Sequence, residues 1–192
     1  MFFPQCIMLI LTAVVFGQAH DGPAREGPDI SHVEIVNTGK YMPYVTTNID
    51  AGPATGFILN YHYFPGINFY NGGRYKEAEE QFTYVIMRPY YLAANPRQAE
   101  FMSTAYYLRG MIYLYHANGI GRHSQAKEDF EASLKWNPSN HVVYLEIARL
   151  YASLGFRDQA ATIIQQLLQL KPAAAVAEAA QKELETLTQK SN

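Results

Sequence analysis

Six positions recur in the same order in two successive stretches of this chain. Tyr106, Gly110, Tyr113, Ala126, Phe130 and Pro138 are followed by Tyr144, Ala148, Tyr151, Ala160, Ile164 and Pro172. From Ala126 to Ala160, from Phe130 to Ile164 and from Pro138 to Pro172 the step is 34 residues each time. A period of this size marks one helix pair per repeat. Such a pair cannot bury its apolar face alone, so neighbouring pairs stack into a solenoid.

A degenerate copy precedes these two and can be followed through Gly66, Phe69, Tyr75, Ala78 and Phe82. Pro65 falls inside its first helix. A proline there lacks the amide donor and its ring clashes with the preceding turn, which predicts a break at Phe64 and Pro65 and a short helix after it. In the next copy Asn95 and Pro96 suit an N-cap and first turn. Phe101, Ala105, Leu108 and Ile112 then keep helical spacing, which carries the helix to about Tyr115. Tyr113 to Ala126 spans 13 positions where Tyr151 to Ala160 spans 9. Residues 116–123 are therefore expected to form an enlarged, projecting loop with a turn at Gly119, Ile120 and Gly121, and with Ser124 as the N-cap of the following helix. The third copy, residues 140–171, has no insertion. Pro172 opens a last helix with Val176, Ala180, Leu184 and Leu187 on one face and Glu178, Lys182 and Glu185 on the other, the amphipathic pattern of a cap over a solenoid end.

The order of residue types (aromatic, small, Tyr; then Ala, bulky apolar, Pro) resembles the tetratricopeptide repeat (TPR). Gly73, Arg74, Tyr75, Lys76, Glu77 and Ala78 resemble the turn between its two helices. The resemblance covers residues 53–190. It implies an all-α, TPR-like helix-pair solenoid of about three repeats, with an extended N-terminal arm and a C-terminal capping helix. It also implies a non-catalytic interaction module in which the first helix of each pair lines a concave groove for a peptide segment or partner protein. The groove positions are then Asn60, Tyr63, Ile67, Tyr70 and Asn71 in the first repeat, and Thr104, Tyr107, Met111, Leu114 and Tyr115 in the second. The third supplies Val142, Leu145, Arg149, Ala152 and Ser153. Those expected to bind the partner are Tyr63, Tyr70, Thr104, Tyr107, Met111, Leu114, Tyr115, Leu145 and Arg149, an aromatic and aliphatic wall with Arg149 as its one cation. Tyr and Met are common anchors on such walls. Tyr107 and Leu145 stand where chaperone-binding members of the family carry a carboxylate-clamping lysine. Tyr106, Tyr113, Tyr144 and Tyr151 are core positions, and Trp136 is a core position of a second helix. Two further uses of the fold are a permanent accessory subunit of an enzyme or cofactor protein, and a carrier of a small apolar or aromatic ligand.

Ahead of the repeats, residues 7–16 form an apolar run followed by Gly17, Gln18 and Ala19, a small-x-small signal before His20. Residues 1–19 read as a secretory signal peptide, too short for a comfortable membrane span, with no Lys or Arg before the apolar run. Cys6 precedes that run, so a lipoprotein signal does not fit. Cleavage would leave a mature chain without cysteine, exported to a periplasm or the cell exterior, with no membrane span and no disulfide. Residues 20–52 join this segment to the helical part, residues 53–192. Gly22, Pro23, Gly27 and Pro28 make the first part a spacer. Val33, Ile35, Tyr41, Met42, Pro43, Tyr44 and Val45 suit an extended arm, which could itself fill the groove as a built-in ligand.

Composition narrows the function. The formal net charge is −2 and no basic run occurs, so nothing points to nucleic acid. His116, His123 and His141 lack the spacing of metal ligands, and no metal or other cofactor is expected. Gly119, Ile120 and Gly121 lack the strand and the Lys-Ser/Thr of a phosphate loop. Glu77, Glu79, Glu80, Glu128, Asp129 and Glu131 read as solvated helix faces. No catalytic residue set stands out.

Overall fold

The structure, a computed structural model, describes residues 53–119 and 121–189. The signal peptide, the spacer and the extended arm lie outside the described residues. The rest is helical: α1 (Pro53–Ile58), a π-helical turn (Leu59–Tyr63), α2 (Phe64–Asn71), α3 (Tyr75–Ile86), a 3-10 turn (Pro89–Leu92), α4 (Gln98–Met111), a second π-helical turn (Ile112–His116), α5 (Arg122–Trp136), α6 (His141–Ser153), α7 (Arg157–Gln169) and α8 (Ala174–Gln189). Helix α2 packs on α3, α4 on α5 and α6 on α7, and α3 meets α4 as α5 meets α6. Three helix pairs thus stack in sequence order as a TPR-like solenoid. Helix α8 closes the last pair, burying Val176, Ala180 and Leu187 and leaving Glu178, Lys182 and Glu185 exposed.

The first two pairs are held by the same contact. A small residue on the first helix receives a bulky apolar side chain from the second: Gly66 faces Phe82, and Gly110 faces Phe130. The third pair places Ala148 and Ile164, both fully buried, at the matching positions. A Cβ built on Gly110 would lie 2.7 Å from Phe130 Cε1, closer than any van der Waals contact. Gly110→Ala is therefore expected to lower the thermal midpoint. Overpacking costs about 1–3 kcal/mol, more than the roughly 1 kcal/mol that Ala gains over Gly in a helix. Adding Phe130→Ile, the pairing already used by the third repeat, should recover most of the loss in a circular-dichroism melt. A double variant no better than the single one would refute this shared packing rule.

Several local expectations are corrected. Pro65 does not break its helix. The π-turn before it places the Phe64 amide on the Leu59 carbonyl, so the chain passes through Pro65 with a widened turn and α2 runs on to Asn71. One extra residue in the turn absorbs the missing donor. Asn95 does not cap α4. Its Oδ1 accepts the Arg97 amide at 2.8 Å, fixing the turn before the helix, and α4 starts at Gln98. Ser124 lies inside α5, which begins at Arg122 after Gly121 in the left-handed region (φ 85°). The enlarged loop is correspondingly shorter than 116–123, because the π-turn uses residues up to His116 and α5 begins early.

Asp129 is not on a solvated face. It is buried, and the Arg109 guanidinium donates to both its carboxylate oxygens at 2.8 and 2.7 Å. Arg109 also reaches Thr83 Oγ1 at 3.0 Å. One fork thus fastens α3, α4 and α5. Beside it, the Ser103 and Ser133 hydroxyls pair at 2.9 Å and Asn140 Nδ2 donates to Ser103 Oγ, tying α4 and α5 to the start of α6.

Candidate protein-binding face

The groove positions divide by depth. Tyr63, Ile67, Tyr70, Met111, Val142 and Leu145 are buried, and Tyr107 is 0% exposed. Thr104, Leu114, Tyr115, Arg149 and Ala152 are half-buried, while Asn60, Asn71 and Ser153 are exposed. The reason lies in the stacking. Tyr63 meets Phe101 edge-on with ring centroids 5.0 Å apart, so it fills the joint between the first and second pairs. Tyr107 lies 6.2 Å from the Phe130 ring and close to Tyr70, Tyr115, Glu146 and Arg149, a position between all three pairs. Tyr107, Met111 and Leu145 are therefore too deeply buried to form a solvent-facing wall.

The half-buried Tyr115 and Arg149 are joined through the buried Glu146. Tyr115 donates its hydroxyl to Glu146 Oε2 at 2.7 Å. Arg149 donates to Glu146 Oε1 at 2.7 Å and to Glu183 Oε2 at 3.4 Å, joining α6 to α8. Arg149 is thus a neutralised member of a network rather than an isolated cation. Burial raises the Glu146 carboxyl above the usual carboxylate range, and Arg149 and the Tyr115 hydroxyl pull it back only in part. Burial, reinforced by Glu146, also pushes the Tyr115 phenol far up, so Tyr115 is a neutral donor throughout the physiological range. Within this cluster the Tyr107 hydroxyl is buried with no hydrogen-bond partner.

The second π-turn ends at His116. It carries His116 onto the Tyr75 ring, stacked at 3.6 Å, with the Tyr70 ring edge-on to both. Burial lowers the His116 pKa, which suits a neutral imidazole in an aromatic stack. π-Turns are frequent at functional positions, where they re-aim side chains. His123 sits exposed in the first turn of α5, and His141 opens α6. No group of three potential metal ligands comes together among the described residues.

Glu146, Glu183 and the Tyr75 and His116 stack were not among the expected site residues. A signal for one of them exists: Glu146 is the lone acid in an otherwise apolar stretch of α6, with Arg149 one turn on. Glu183 had none, because its place beside Arg149 depends on how α8 folds back.

This stacked-pair geometry has a counterpart in sequence comparison. Residues 120–189 match the tetratricopeptide repeat family. Its members are generally non-catalytic modules for protein–protein interaction. The chain matches no curated protein. No helix among the described residues is long and apolar enough to cross a membrane.

Proposed function

We propose that this protein is a non-catalytic scaffold that binds a peptide segment or partner protein along the strip formed by Asn60, Thr104, Leu114, Tyr115, Arg149 and Ala152, with Asn71 and Ser153 at its rim. The observation that carries this reading is Tyr115. Its ring is half-buried and its hydroxyl is held by Glu146, which in turn is held by Arg149. An aromatic side chain fixed in this way offers contact area with little rotamer entropy left to lose, the property of an interface anchor. Tyr63, Tyr70, Tyr107, Met111 and Leu145 act from beneath by setting the shape of the strip. The apolar run at residues 7–16 adds the proposal that the module works after export, in a periplasmic or extracellular complex.

Asn71→Arg with Ser153→Arg tests the site, because both positions are exposed and lie at the ends of first helices of their pairs. Affinity capture with the full chain is expected to retain a partner that the double variant loses, while both give the same helical circular-dichroism spectrum. Equal retention by a well-folded double variant would remove the strip as the contact surface.

A further inference from the structure

The two ends of the described solenoid are finished differently. At the C-terminal end α8 lays Val176, Ala180 and Leu187 over the third pair. At the other end, large apolar side chains face outward: Phe57 is 42% exposed, Tyr61 67% and Tyr90 64%. These rings form one continuous surface. Phe57 and Tyr61 have centroids 5.2 Å apart, Phe57 and Tyr91 6.4 Å, and Tyr90 and Tyr91 4.6 Å. Behind them His62 stacks on Tyr84 at 3.6 Å, and Arg88 lies over the other side of the same ring at 3.7 Å. The first helix spends its opposite side on the fold, with His62 against Tyr84, Gly66 against Phe82 and Tyr63 against Phe101. Scattered exposed apolar residues are ordinary, whereas a contiguous aromatic face of this kind marks a docking surface.

We propose that residues 41–49 of this chain dock on that face and close the first pair as α8 closes the third. Chain length and charge both favour this occupant. Residues 41–49 (Tyr41, Met42, Pro43, Tyr44, Val45, Thr46, Thr47, Asn48, Ile49) contain no charged side chain, and neither Asp, Glu, Lys nor Arg occurs between residues 53 and 63. An uncharged segment therefore meets an uncharged stretch, and the neighbouring cation, Arg88, already lies over the Tyr84 ring. Only Asp50, Ala51 and Gly52 separate Ile49 from Pro53, a link that reverses easily at glycine. An extended segment advances about 3.3 Å per residue. Nine residues therefore reach about 30 Å, well beyond the roughly 12 Å of helix from Pro53 to Tyr61 at 1.5 Å per residue. Tethering at this distance gives an effective concentration in the millimolar range, so contacts too weak for a separate peptide suffice. The arm then leaves the concave strip open to a partner rather than filling it.

Cysteine trapping tests the proposal on the full chain. In a Cys6→Ser background, Tyr44→Cys with Tyr61→Cys is oxidised beside a control pair, Tyr44→Cys with Gln165→Cys, whose second site is exposed on α7. The expected result is a disulfide within one chain, seen as a faster non-reducing band at monomer mass, forming about tenfold or more faster than in the control, as a tethered docked segment requires. Disulfide-linked dimers from the Tyr44 and Tyr61 pair would assign the face to a second copy of the chain. Equal rates for both pairs, or no disulfide in either, would show that the arm does not dock there.

Discussion

Tyr107→Ala is expected to cost about 3–5 kcal/mol of stability, the range for removing a large aromatic side chain from a packed core. The side chain is fully buried where the three helix pairs meet, against Phe130 and beside Tyr70 and Tyr115. Its loss opens a cavity that the surrounding helices cannot close without breaking their own contacts. Tyr107→Phe should behave in the opposite way. The Tyr107 hydroxyl is buried without a partner, so it carries a desolvation cost with no hydrogen bond to offset it. Removing only that oxygen is expected to leave the urea midpoint at or above that of the parent chain. A large loss in the Phe variant would mean that the hydroxyl is satisfied in solution. A loss below about 1 kcal/mol in the Ala variant would mean that Tyr107 is not core.

The second large effect concerns Asp129. Its carboxylate receives two hydrogen bonds from Arg109, and both side chains are shielded, at 6% and 15% exposure. Burial raises the Asp129 carboxyl while Arg109 draws it back down, so the ion pair persists only because both members are present. Asp129→Ala leaves a guanidinium in the interior without its counterion, and such a break costs about 3–5 kcal/mol. Replacing both partners with apolar residues of similar volume, Arg109→Met with Asp129→Leu, should restore most of that stability, because the desolvation cost of the pair disappears with it. The comparison is made by chemical denaturation of the two variants beside the parent chain. A double variant as unstable as Asp129→Ala would show that the pair supplies net stability of its own.

These sites also show how much the sequence alone makes legible. The repeat unit was readable because its packing rule is local in type: a small residue, then an aromatic or aliphatic partner at helical spacing, as in Gly110 with Phe130 and Ala148 with Ile164. The amphipathic face of α8 was readable for the same reason. Pro65 misleads a sequence reading because a proline's effect depends on the hydrogen-bond pattern around it, and the Leu59–Tyr63 π-turn supplies a pattern that tolerates it. Ser124 carries a capping side chain, yet Gly121 in the left-handed region turned the chain three residues earlier. Asp129 looked like one more acid on a solvated helix because its partner Arg109 lies 20 residues away, on another helix.

The groove illustrates the same limit. Family position placed Tyr107, Met111 and Leu145 on the first helices of their pairs. Whether such a residue faces solvent or the next pair depends on how closely consecutive pairs approach, which no spacing encodes. Tyr115 and Arg149 were identified as residues, but the chemistry that ties them together runs through Glu146 and Glu183. Only the folded arrangement brings α6, α8 and the second π-turn to one place.

The claim that a partner lies along the Asn60 to Ser153 strip is tested most directly by photo-crosslinking. A photoreactive residue is placed singly at Asn71, Ser153 and Gln165, all exposed in the folded chain, and irradiated with the captured partner bound. The account predicts covalent partner adducts from Asn71 and Ser153 and none from Gln165, which lies on α7. Adducts from Gln165 with none from the other two would place the partner on the opposite side of the solenoid and contradict it.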